Sequence, residues 1–244
     1  MQISVIASGS NGNRCLVEEK DDSILIDAGK SCREIEKRMD NLGKNLENVS
    51  AIILTHSHID HIAGVSVISR KYNIPVYLAK EVYEETKFKL SDLKTKIFSI
   101  NKSFKINDLG IKPIQTSHDV PSCGLAINKF GLFTDTGIIT RQIQNEIKKL
   151  KGVLLESNYD IDMLINGSYP PFLKQRILSD KGHLSNVHAS ECIKGNNPDW
   201  VLLGHLSENN NTTEKVKQTF ETIVKKKVDY SILSREKESG TWEL

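Results

Sequence analysis

A chain of 244 residues, 38% hydrophobic and 26% charged, has the composition of an ordinary globular protein and enough length to close one large core. Thirty-three Lys and Arg against 31 Asp and Glu leave a net charge of +2, a balance that neither demands nor excludes a polyanionic partner such as DNA. No run approaches the roughly 18 apolar residues of a membrane span, and MQISVIA at the start has no basic leader; the expectation is a cytoplasmic protein. Cys15, Cys32, Cys123 and Cys192 are scattered without a CxxC pair, which argues against a disulfide framework or a thiolate zinc site.

Apolar runs at 2–7, 14–19 and 23–27 predict three strands split by turn residues, and 32–42 predicts a helix. A strand at 51–54 feeds the stretch LTHSHIDHIAG (54–64), after which 61–71 reads as helical and 75–78 as extended. Strands are expected at 111–115, 125–128 and 132–134, with a hairpin bend near Phe130-Gly131. Ile143, Ile147 and Leu150 fall on one face of a helix over 141–150. The remainder repeats the alternation: strand 153–156, helical patterns near 160–165 and 171–179, strand 200–204, helix 214–224 and strand 230–233. Lys148-Lys149 and Lys225-Lys226-Lys227 are read as lying late in helices, where cations offset the helix dipole, and His188 as a structural residue of a helical stretch. No repeat, low-complexity tract or Pro/Gly/Ser linker interrupts the pattern, so residues 1–244 are expected to form a single domain. Strands flanked by helices in both halves predict an α/β fold with two helical layers around a β-core.

His56, His58, Asp60 and His61 crowd four ligand-type side chains into six positions directly after an apolar run. Neutral imidazole and carboxylate are first-rank ligands for zinc-like or manganese-like ions. Locked into a turn, these side chains diverge toward two points, which suggests two ions. The alternative is a polar loop that caps a helix at Ser57 or Asp60, but a single Ser or Asp does that work. Four ligands cannot complete two coordination spheres, so further His and Asp residues are required at later strand ends. His118, Asp135 and His205 each follow an apolar run and supply them.

This ordered set, with HxHxDH at 56–61, resembles the metallo-β-lactamase superfamily. The resemblance implies a four-layer αββα sandwich and two divalent ions, zinc or manganese. It implies His56, His58 and His118 on one ion, Asp60, His61 and His205 on the other, and Asp135 bridging them. Asp27 of ILIDAG is implied to steady the metal loop without binding an ion. ASGSNGN (7–13), LLESNYD (154–160), LKQRILSDKGHLSN (173–186) and LLGHLSENNN (202–211) are similar to the YycJ/WalJ branch. That branch implies a 5′→3′ exonuclease acting on DNA and linked to DNA repair.

Glu156 and His183 resemble the paired Glu and His of RNase Z, where the histidine assists proton transfer to the leaving group, so Asp60, Glu156 and His183 are the residues expected to carry catalysis. Ser8, Ser10, Asn11, Asn13, Ser185 and Asn186 are candidates to receive a substrate phosphate, or to serve ordinary turn chemistry. Tyr159 stands where the branch commonly has histidine. Positions 136–204 give only 69 residues between Asp135 and His205, too few for a β-CASP insertion. A cysteine ligand of the β-lactamase type and a C-terminal helical domain of the glyoxalase II type are not seen. An RNase Z-like or cyclic-nucleotide phosphodiesterase remains as the alternative enzyme, and a non-catalytic, metal-stabilised binding module as the alternative of another class.

Overall fold

The computed structural model describes residues 1–9, 14–90, 92–225 and 227–244. Its elements begin with β1 (Gln2–Ala7), β2 (Arg14–Glu19), β3 (Asp22–Ile26), α1 (Cys32–Asn41), β4 (Ala51–Ile53), α2 (Ile59–Ile62), α3 (Val65–Tyr72) and β5 (Val76–Ala79). They continue with α4 (Lys80–Leu90), β6 (Thr95–Phe98), β7 (Phe104–Ile106), β8 (Leu109–Gln115), β9 (Cys123–Ile127), β10 (Phe130–Phe133), α5 (Arg141–Ile147) and β11 (Gly152–Glu156). The last are α6 (Ile161–Asn166), α7 (Pro171–Leu178), α8 (Asn186–Lys194), β12 (Trp200–Gly204), α9 (Thr213–Ile223), β13 (Asp229–Ile232) and β14 (Gly240–Glu243). The chain divides into two units, Met1–Pro113 with Ser234–Leu244, and Ile114–Leu233.

In the first unit the strands pair in the order β14-β1-β2-β3-β4-β5-β6. The pairings from β14 to β3 are antiparallel and those from β3 to β6 parallel. Parallel neighbours need a crossover, and α1, then α2 with α3, then α4 provide them. Ser31 caps α1 by accepting the Glu34 N–H at 3.3 Å, and the helix buries Ile35 and Met39. Ile24, Leu25, Ile26 and Ala51 to Leu54 are all buried, as central strands covered on both faces require.

In the second unit the order is β13-β12-β11-β10-β9. β9 and β10 form a hairpin, whereas β10, β11, β12 and β13 run parallel. Helices α5, α8 and α9 pack Ile143, Ile147, Ile193, Val216 and Phe220 onto Phe133, Leu155 and Leu203. The parallel register places Phe133 opposite Leu155 and Glu156 opposite Gly204. The residues that end or follow β10, β11 and β12, namely Asp135, Glu156 and His205, thereby reach one edge of the sheet.

Several expectations are corrected. The helix expected over 61–71 is two helices broken at Gly64, where a Cβ would sit 2.1 Å from the Lys30 carbonyl oxygen. The hairpin bend expected near Phe130-Gly131 falls at Asn128 and Lys129, with Asn128 at φ +50°, and Phe130 and Gly131 themselves open β10. Helix α4 and strands β6, β7 and β14 were not expected from the sequence, and β6, β7 and β14 are short, partly exposed strands with little apolar alternation. Helices α5 and α9 stop at Ile147 and Ile223, so Lys148 caps the first while Lys149, Lys225 and Lys227 follow their helices; Lys226 lies outside the described residues. The four cysteines are buried and joined by no disulfide among the described residues.

Candidate metal centre

The histidine-rich turn of the first unit is shaped by its neighbour in the sheet. Parallel pairing sets Ile26 beside Ile53, so Asp27, the next residue, comes within reach of Thr55, two positions past Ile53. Asp27 takes φ +57°, a conformation that Asp tolerates better than most residues, and turns its carboxylate into the loop. There it accepts the Thr55 N–H at 2.9 Å, the Thr55 hydroxyl at 2.8 Å and the His61 Nδ1–H at 2.8 Å. Thr55 Oγ1 also lies 3.0 Å from His56 Nδ1. With Nδ1 committed, His61 presents Nε2, 3.5 Å from Asp60 Oδ2. The His56 ring centroid is 3.9 Å from that of His61 and 4.7 Å from that of His58. Gly29 completes the cradle: the Ala28 N–H bonds the His61 carbonyl at 2.8 Å, and a Cβ on Gly29 would lie 1.4 Å from the Asp60 carbonyl oxygen.

In the second unit His118 follows β8, Asp135 follows β10 with φ +57°, Glu156 ends β11, and His205 follows β12 with φ +59°. His118 donates from Nδ1 to the Gly182 carbonyl at 3.3 Å, and its Nε2 lies 3.9 Å from Asp135 Oδ1. His205 Nε2 lies 3.6 Å from the same oxygen. Glu156 is fully buried, and its Oε1 accepts both His183 Nδ1–H at 2.7 Å and His205 Nδ1–H at 2.5 Å. Its Oε2 accepts the backbone N–H groups of Thr136 at 3.2 Å and Leu184 at 3.1 Å. Burial alone raises the Glu156 pKa, but His183 and His205 outweigh it and hold the carboxyl down at about 2. Burial pushes His118 down, against the pull of Asp135, toward the neutral imidazole that a metal requires.

Among the remaining expected residues, Ser185 and Asn186 are buried and committed to structure. Ser185 Oγ accepts the His188 N–H at 3.1 Å as the cap of α8, and Asn186 Oδ1 accepts from Ser157 Oγ and Asn211 Nδ2. Tyr159 is a core residue packed with Leu164 and Ile177, and burial pushes its phenol up to about 12. Ser8 is buried after β1, whereas Ser10, Asn11 and Asn13 lie outside the described residues. Sequence reasoning missed Thr55, Gly182 and the two backbone donors on Glu156. Only the adjacency of Thr55 to His56, and of Gly182 to His183, hinted at them.

Residues 22–206 match the beta-lactamase superfamily domain. The chain belongs to the metallo-β-lactamase superfamily. Within that superfamily it is 35% identical over 229 residues to exodeoxyribonuclease WalJ of Streptococcus pneumoniae, spanning 88% of this chain and 85% of that protein. It is 33% identical over 238 residues to exodeoxyribonuclease YycJ of Bacillus anthracis, spanning 93% and 90%. The metallo-β-lactamase fold protein YhfI of Bacillus subtilis superposes with a TM-score of 0.78 at 18% identity, over 99% of this chain and 98% of that one. These likenesses bear out the expected metallo-β-lactamase fold, and as a member of this superfamily the chain is a metal-dependent hydrolase.

The donors fit a divalent cation. In the second unit His118 Nε2 and His205 Nε2 lie 3.9 and 3.6 Å from Asp135 Oδ1, a set that combines nitrogen and oxygen without sulfur. Among the described residues no helix is long and apolar enough to cross a membrane.

Proposed function

We propose that this metallo-β-lactamase superfamily hydrolase cleaves the phosphodiester bonds of DNA as a 5′→3′ exonuclease serving DNA repair, with two divalent ions, zinc or manganese. The observation that carries this reading is the pair of relatives named exodeoxyribonuclease, 35% and 33% identical over most of the chain. We read residues 1–244 as one catalytic domain without a β-CASP insertion.

By the superfamily resemblance, His56, His58 and His118, together with Asp60, His61, His205 and Asp135, would hold the two ions. Once bound, such ions would lower the pKa of water toward neutrality and offset charge on a phosphate. The chain's own residues orient groups and move protons. Asp27 fixes His61 as the tautomer that offers Nε2. Glu156 does the same for His205 and also for His183, whose ring is half-buried and whose Nε2 remains to donate a proton to the departing 3′ oxygen. The carboxylate on Nδ1 stabilises the protonated ring before the transfer.

His183→Ala is expected to lower kcat on a 5′-phosphorylated DNA duplex with manganese by about 10²–10⁴-fold while the protein keeps its metal. A diester whose leaving group is p-nitrophenolate needs no proton, so the variant should cut it at close to the wild-type rate. Equal losses on both substrates would remove His183 from the proton transfer. Asp60→Ala should lose metal and activity together. If the wild type turned over only RNA or cyclic phosphates, the DNA assignment would fall.

A further inference from the structure

A cavity of about 360 Å³ opens in the second unit next to the Asp135 turn. Ile138, Ile139 and Cys192 form its apolar wall, and Gln144, His188 and Glu191 its polar rim. Its two sides continue the segments that carry Asp135 and His183. One runs from Asp135 through Gly137 to Ile138, Ile139 and Thr140, the cap of α5, on which Gln144 sits. The other runs from His183 through the Ser185 cap into α8, which bears His188, Glu191 and Cys192.

Glu156 fastens both sides at once. Its Oε2 accepts the N–H of Thr136 on the first segment and of Leu184 on the second, while its Oε1 accepts the His183 ring. Thr136 Oγ1 donates to the Ile138 carbonyl at 2.8 Å, and the Gly137 N–H bonds the Ser117 carbonyl at 2.9 Å. The same carboxylate therefore fixes both the segments that lead into the cavity wall and the His183 ring.

The volume lies at the small end of ligand sites and suits one nucleoside rather than a run of them. An apolar wall matches the face of a flat ring. The Gln144 amide, His188 imidazole and Glu191 carboxylate offer donors and acceptors to its edge. Glu191 meets Lys194 at 3.3 Å with both side chains half-exposed, so the rim carries a paired charge and no surplus of cations to hold a phosphate. We propose that this cavity is a nucleobase subsite that seats the base of a nucleotide beside the bond His183 serves. The proposal rests on the phosphodiesterase reading for the origin of that nucleotide, but the base contact itself requires no turnover. A carboxylate acceptor at the rim favours bases with an exocyclic amino group, cytosine above thymine.

The test titrates the whole protein with phosphate-free deoxycytidine and thymidine while the His188 ring protons are followed by NMR. Saturable shifts are expected, with deoxycytidine bound about three- to tenfold more tightly than thymidine, as one hydrogen bond provides. Glu191→Gln should erase most of that preference. Ile138→Trp, made at a position 39% exposed and so tolerant of bulk, should block the cavity and abolish the shifts. In parallel, strands whose terminal nucleotide lacks its base should show a raised KM with wild type and no such difference with Ile138→Trp. Shifts that are absent, or that persist in Ile138→Trp, overturn the subsite whether or not the protein cuts DNA. Nucleoside binding by a protein that cleaves no diester would keep the subsite and remove the nuclease.

Discussion

Two buried charges in this chain differ in how they are answered. Glu156 accepts four hydrogen bonds and is held at about 2 despite its burial, so its desolvation is compensated by two rings and two backbone donors. Arg14 is 1% exposed, and among the described residues none of its three guanidinium nitrogens has a hydrogen-bond partner. Burial, then Arg38, pulls its pKa down to about 9 against the opposing influence of Asp27, Asp60 and Glu34. A lowered pKa for a base means that the unfolded chain binds the proton more readily, so the penalty is complete below about 9 and fades as pH rises toward 12.5. Arg14→Met is therefore expected to leave stability unchanged or raise it by about 1–2 kcal/mol at neutral pH, with a smaller advantage above about pH 9. Urea unfolding of both proteins at the two pH values checks this; a large loss at neutral pH would show that the guanidinium is satisfied after all.

At the scale of elements, helices α1 and α3 are joined through Glu36. Its Oε1 accepts from Cys32 Sγ at 2.9 Å, Lys71 Nζ at 2.7 Å and Tyr72 Oη at 2.8 Å, and these bonds, that of Cys32 foremost, hold its pKa down at about 2. Because the folded pKa is depressed, this contribution is complete above the ordinary value of 4.5 and is lost as pH falls toward 2. Glu36→Gln should cost about 1 kcal/mol at neutral pH and nearly nothing in strong acid, read from denaturant midpoints. An equal cost at both pH values would place the effect in packing. The loop between β3 and α1 is less forgiving, since Gly29 lies against the Asp60 backbone where no Cβ fits. Gly29→Ala should destabilise by at least about 3 kcal/mol and displace the HxHxDH turn, lowering metal content along with stability. Normal metal content in a stable variant would show that the two loops separate freely.

For the molecule as a whole, metal is expected to bind the folded chain and not the unfolded one, so chelation should lower the thermal midpoint as well as abolish hydrolysis. Metal analysis of the active protein is expected to give two ions per chain, and a single ion would overturn the dinuclear assignment. The strand runs and the HxHxDH turn were legible in the residues because burial and ligand chemistry leave local marks: unbroken Ile, Leu and Val, and four donors in six positions. Strand β14 and helix α4 left weaker marks, since a short edge strand and a half-exposed helix need few apolar residues. The sequence by itself therefore determined the class of fold, the family and the kind of atom that could hold a cation. Only the tertiary structure decided that Glu156 serves two histidines and two backbone donors, that Ser185 and Asn186 are consumed inside the second unit, and that a cavity lies beside the Asp135 turn. The reason is physical: hydrogen-bond partners and voids arise where segments distant in the chain converge, and no spacing within one segment encodes them.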